Sequence, residues 1–127
     1  MGRVDVIAVD GSPQAHYAFN WYLDNLYREG DTVVIVHVAE YNIHIGLLLT
    51  DEYMHILRNK HIPAHLLVLQ GDKPGEEIRK AAVKENASLI ILGTRGLGKM
   101  KRTLIGSVSE YVLHHSTCPV TVVRHPE

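Results

Sequence analysis

The sequence predicts an α/β fold: an open, five-stranded parallel sheet with helices on both faces. Three observations carry that expectation. Five short runs of aliphatic and β-branched residues recur along the chain, apolar stripes at helical spacing fall between them, and Gly, Pro or Ser punctuates the junctions. Strands that alternate with helices are joined by right-handed crossovers, which places the strands parallel and the helices on the sheet faces.

The elements follow in order. Val4 to Asp10 is a mostly β-branched run ending at Gly11, as a strand buried on both faces should be. Ser12 is a good helix cap and Pro13 suits a first helical position. Ala15, Ala18, Phe19, Tyr22, Leu23 and Leu26 then form one apolar stripe, and Gly30-Asp31 ends the helix. Thr32 to Ala39 is the second strand and His65 to Leu69 the third. Pro74 opens a helix with Ile78, Ala81 and Ala82 on one face, ending near Asn86. Ser88 to Leu92 is the fourth strand, Ser107 caps a last helix through Ser116, and Pro119 to Val123 is the fifth strand. Between Tyr41 and Thr50 periodicity is lost, although Leu47-Leu48-Leu49 with Tyr53, Ile56 and Leu57 point to a short helix. A chain break or disordered loop is expected there.

Composition narrows the function. A chain of 127 residues with 46% hydrophobic content is expected to form one domain over 1–127. A formal charge of -1 gives no global attraction to nucleic acid or to an anionic membrane. The apolar runs are far shorter than the ~20 residues of a membrane helix. Met1-Gly2-Arg3 runs directly into the first strand, and Cys118 has no second cysteine to pair with, so a cytoplasmic location is expected.

The informative stretch runs from Gly93 to Ser107. It links the carboxyl end of a strand to the amino end of a helix, where ligands of open α/β sheets bind. Gly93, Gly96, Gly98 and Gly106 permit positive φ and keep Cβ atoms away from an anion, and Arg95, Lys99, Lys101 and Arg102 add four positive charges. Two familiar patterns nearly match. Gly93-x4-Gly98-Lys99 resembles a P-loop, but Met100 stands where Ser or Thr must ligate Mg²⁺, and the loop follows the fourth strand instead of the first. A dinucleotide GxGxxG fails at Lys101.

Gly93-x2-Gly96-x9-Gly106-Ser107 fits a third pattern, the G-x2-G-x9-G-(S/T) motif of ATP-binding universal stress proteins. The resemblance extends to Val9-Asp10-Gly11-Ser12, His37-Val38, Lys73-Pro74-Gly75-Glu76-Glu77-Ile78 and Cys118-Pro119-Val120, in that family's order. It implies a sheet order of 3-2-1-4-5 and a site. Asp10 would lie near ribose and phosphate, and Val38 would meet adenine through its backbone. Gly93, Arg95, Gly96, Gly106, Ser107, Val108 and Ser109 would hold ribose and phosphates. That order puts the switch point between the first and fourth strands, so Asp10-Gly11-Ser12 and Gly93-Thr94-Arg95-Gly96 flank one crevice. An order of 2-1-3-4-5 would move it to Gly71-Asp72-Lys73, a poorer anion site. The chain departs from the family between its second and third strands, where members have a longer connection.

Other candidates have plainer readings. Ser12 sits in no Gly-x-Ser-x-Gly elbow and reads as a cap. The nine His residues show no HExxH spacing, and His114 and His115 point ~100° apart on a helix. His37 reads as a hydrogen-bonded core residue, Cys118 as structural, and Trp21, Tyr17 and Tyr53 as packing. Asp5 is odd in a buried run and is expected at the strand's start or beside a base.

The leading function is an ATP-binding regulatory protein of the stress response, in which ATP or AMP sets conformation or partner binding. Asp10 is the candidate Mg²⁺ ligand, and with no clear base to activate water the enzyme alternative is slow ATP hydrolysis or autophosphorylation. A third class is an interaction module that binds no nucleotide. A homodimer is expected through the edge strand Pro119–Arg124, because Val120 to Val123 carries no charge to guard a sheet edge.

Overall fold

A computed structural model of the chain describes residues 2–39, 42–94 and 106–126. Strand and helix alternate along it: β1 (Val4–Ala8), α1 (Pro13–Asn25), β2 (Thr32–Ala39), α2 (Ile43–Asn59), β3 (Ala64–Gln70), α3 (Pro74–Lys84), β4 (Leu89–Gly93), α4 (Ser107–His115) and β5 (Val120–Val123). The sheet runs β3-β2-β1-β4-β5 and all its neighbouring strands are parallel. This is the order that the sequence motifs imply.

Buried parallel strands send alternate side chains to opposite faces, and both faces are covered here. Ile7, Val33, Ile35 and Ile91 meet Phe19 and Tyr22 of α1 and Tyr53 and Leu57 of α2. Val6, Val34, Val36 and Ile90 meet Ile78 and Ala82 of α3 and Val112 of α4. Each buried Val, Leu, Ile or Phe side chain among them contributes about 1.5–3 kcal/mol. The continuous apolar runs of the sequence are the signature of this two-sided core.

The largest departure from expectation is α2. The residues from Ile43 to Thr50 are helical, not a break, and Tyr41 lies outside the described residues. Asn42 caps the helix, its Oδ1 accepting from His44 N at 2.9 Å. Gly46, Thr50, Tyr53 and Leu57 form the buried stripe. A stripe that begins with glycine and threonine is invisible to a search for apolar periodicity. The conspicuous Leu48 is 76% exposed and gives the wrong phase. At 17 residues the helix is about 25 Å long, enough to cross back over the sheet. A smaller correction concerns α4, where Gly106 is the cap residue and Ser107 the first helical position.

Asp5 is fully buried in β1, between Val33 of β2 and Leu89 of β4. The Tyr22 hydroxyl donates to its Oδ2, and Arg3 Nε stands 3.7 Å from its Oδ1. Arg3 is committed elsewhere: its Nε and Nη2 donate to Asp31 Oδ2 at 3.0 and 2.8 Å, and Nη2 also donates to the Leu26 carbonyl. Two buried carboxyls thus share one guanidinium, and Asp5 Oδ1 is left without a hydrogen bond. Burial, reinforced by Asp31, raises the Asp5 pKa to about 6. For Asp31 burial works upward too, but Asp5, which keeps its proton, and the hydrogen bonds from Arg3 outweigh it and hold the group below its ordinary range.

Candidate functional site

β1 stops at Ala8, opposite Val36, whereas β2 continues to Ala39 and β4 to Gly93. The shorter central strand leaves a hollow over its carboxyl end, at the switch point of the sheet order. A cleft of about 300 Å³ occupies it. Asp10 and Ser12 line it from the turn after β1, Val38 from β2, Gly93 and Thr94 from β4, and Val108 and Ser109 from α4. Asn42, Ile45 and Gly46 of α2 form another wall. Its size is at the lower end of small-ligand sites, about 300–1,000 Å³.

Each wall has a local cause. Asp10 Oδ1 accepts from Ser12 N at 3.0 Å across Gly11, whose φ of 81° only glycine adopts without strain. Ser12 Oγ then accepts from Ala15 N at 3.1 Å, so the hydroxyl is a helix cap, as expected. Ser109 Oγ donates to the Gly93 carbonyl at 3.0 Å, tying the start of α4 to the end of β4. The Gly106 cap offers no side chain to the first turn of α4, whose Val108 and Ser109 line the cleft at the positive end of the helix dipole.

The reason for Gly93 differs from the expected one. Its φ is not positive; instead a Cβ there would lie 2.5 Å from the Gln14 carbonyl oxygen. The glycine lets the first turn of α1 press against the end of β4. Gly106 is likewise extended, with φ -61° and ψ 158°. Arg95, Gly96, Gly98 and the remaining basic residues of the loop lie outside the described residues. The structure therefore brings Asp10, Val38, Gly93, Val108 and Ser109 to one cleft, with Gly106 and Ser107 heading the helix that carries the last two.

Among the described lining residues the ionisable side chains are Asp10 and His37. Asp10 is exposed, so a cation or a ribose hydroxyl would reach it from solvent. Tyr53, buried beneath this turn, has its hydroxyl pushed up to about 12 by burial, with Asp10 and Glu52 adding to the shift. His37 was legible as a buried, hydrogen-bonded histidine but not as part of the site; its Nδ1 donates to the Val9 carbonyl at 2.8 Å. Among the described residues no three His, Cys, Asp or Glu side chains are grouped to hold a metal ion. Asp10 would have to share Mg²⁺ with phosphate oxygens and water, which that ion readily accepts. No described helix is long and apolar enough to cross a membrane.

Comparison with known proteins agrees with this architecture. The sequence model of the universal stress protein family matches residues 6–124. A Staphylococcus aureus protein named as a universal stress protein is 32% identical over 139 aligned positions, which take in 96% of this chain and 84% of that one. Universal stress protein PHOS34 of Arabidopsis thaliana is 28% identical over 95% of this chain, and the chain spans only 61% of its length. Among solved structures, a universal stress protein family protein of Arabidopsis thaliana with AMP bound superposes with a TM-score of 0.80 at 20% identity, covering 98% of this chain and 92% of that one. A universal stress protein in complex with cAMP gives 0.79 at 18% identity, covering 97% of each. At such identities the two structures establish the likeness of fold.

Proposed function

This chain belongs to the universal stress protein family, and we propose that it is a regulatory domain whose cleft binds an adenine nucleotide, ATP or AMP. One observation carries the reading: Val38 at the end of β2, Gly93 at the end of β4, and Val108 and Ser109 in the first turn of α4 line a single hollow at the switch point. The AMP and cAMP bound by two proteins of the same fold support the choice of adenine nucleotide. In this reading the Val38 backbone meets the base, and Asp10 binds a ribose hydroxyl or Mg²⁺. Gly93, Arg95, Gly96, Gly106, Ser107, Val108 and Ser109 hold the ribose and phosphates. Nucleotide occupancy then sets the conformation or partner affinity of a cytoplasmic stress-response protein that acts as one domain.

Asp10 is the one carboxylate among the described lining residues, and its Oδ1 already accepts from Ser12 N. Any hydrolysis is therefore slow. Calorimetry with ATP, AMP and Mg²⁺ tests the binding, and phosphate release followed over hours tests the hydrolysis. Binding of either nucleotide in the micromolar range with negligible turnover is expected; absence of binding would leave an interaction module.

β5 is an edge of the sheet, and its Val120, Thr121 and Val122 remain partly exposed. We propose that the same strand of a second copy pairs with it about a two-fold axis. Val122→Lys should then turn a dimer into monomers in sedimentation, and a parent that is monomeric at tens of micromolar would contradict the pairing.

A further inference from the structure

In a parallel sheet each residue directs its N–H and C=O to the same side, and successive residues alternate sides. Val36 faces β1, because its carbonyl accepts from Val9 N at 2.9 Å. Ala39 faces β3, because its carbonyl accepts from Gly71 N at 3.3 Å. Val38 therefore faces the β1 side, one rung beyond Val36. A ladder extended by that rung would have Val38 N–H donate to the Val9 carbonyl.

That carbonyl accepts from His37 Nδ1 instead, at 2.8 Å. A carbonyl can only accept, so Nδ1 carries the hydrogen and the bond fixes the ring's orientation. Burial holds it there: His37 is 7% exposed, and α2 crosses the ring at Gly46. A Cβ at position 46 would come within 2.8 Å of His37 Cδ2 and 3.4 Å of Nε2. After Val9 the chain leaves the sheet, held in its turn by the Asp10–Ser12 hydrogen bond.

We infer that His37 is a positioning residue of the cleft: by occupying the Val9 carbonyl it keeps the Val38 N–H open to a ligand, and Gly46 lets α2 lock the ring in place. Loss of His37 would let the sheet zip up by one rung and withdraw the donor. The consequence for affinity rests on the nucleotide reading above, since an open N–H and C=O on one residue suit the acceptor and donor along the edge of adenine. The geometry at Val38 stands without that reading.

Two measurements test it. In the nucleotide-free parent, the Val38 amide should exchange with solvent about a hundredfold or more faster than the Val36 amide on the same side of the strand. His37→Leu should protect the Val38 amide and weaken AMP about tenfold, the worth of one hydrogen bond. His37→Gln, which restores a donor of similar reach, should recover both properties. A Val38 amide that is already protected in the parent, or that the Leu variant leaves unchanged, would overturn the inference. If AMP fails to bind the parent, the nucleotide reading falls, while hydrogen exchange still decides the role of His37.

Discussion

At the amino end of the sheet, Arg3 joins Asp5, Tyr22, Leu26 and Asp31 in a buried network whose partners all come from the chain, with Asp5 Oδ1 left without a hydrogen bond. At the carboxyl end, β1 stops short, and residues at the end of β2 and the start of α4 line a cleft. The strands are the same, and so is the apolar packing between the two ends. What differs is where the polar groups find partners. A buried network partnered from within the chain bears on stability, whereas residues that line an open cleft can take a partner from outside. Changes at the amino end should therefore alter stability and spare binding, and changes at the carboxyl end should do the reverse.

The largest effect is expected at Arg3. Arg3→Leu removes the cation between two buried carboxyls, and breaking such a pair costs about 3–5 kcal/mol. Urea denaturation should show this loss, while AMP affinity of the folded protein stays at the parent value. Gly106→Val is the converse. Its φ of -61° and ψ of 158° suit valine, so the substitution adds no backbone strain. The added branch would crowd an anion at the start of α4, where charge-assisted hydrogen bonds are worth about 1.5–3 kcal/mol each, so calorimetry should show affinity reduced tenfold or more.

Asp5 gives a smaller effect with a pH signature. Its folded carboxyl holds the proton to about 6, above the ordinary 3.8. The stability it contributes is fully present below about 4 and is lost as pH rises through about 6. Asp5→Asn keeps an acceptor for Tyr22 and does not ionise. It should flatten the stability profile between pH 4 and 7 and stabilise the protein at pH 7 by on the order of 1–2 kcal/mol. The smallest change is expected for Asp10→Asn, whose side-chain oxygen can still accept from Ser12 N. Thermal stability should be unchanged, and the Mg²⁺-dependence of ATP binding should weaken.

The carboxyl end was largely legible in the sequence, and the amino end was not. Strands buried on both faces spell themselves out as runs such as Thr32 to Ala39. The turns around the cleft carry Gly, Pro and Ser in positions with clear local meaning. The resemblance to the universal stress proteins implied the strand order and put Val38, Val108 and Ser109 at the site, and that order brings the ends of β1 and β4, with Asp10 and Gly93, to one crevice. The polar network could not be assembled in advance, since Arg3, Asp5, Tyr22 and Asp31 come from different elements and meet only once α1 packs on the sheet. The same limit hid the close approaches. Gly93 serves the Gln14 carbonyl and Gly46 serves His37, and nothing local to either glycine announces a neighbour so distant in sequence. The start of α2 was missed for that reason, because its buried face begins at Gly46 and Thr50 while its large apolar residues stay exposed.

The division of labour between the two ends is tested most directly by titrating isotope-labelled protein with AMP and following every backbone amide by NMR. Saturable shifts should centre on Val38, Gly93 and Val108, with the amides of Asp5, Tyr22 and Asp31 unmoved. Shifts centred on the amino-end network, or none at saturating AMP, would contradict it.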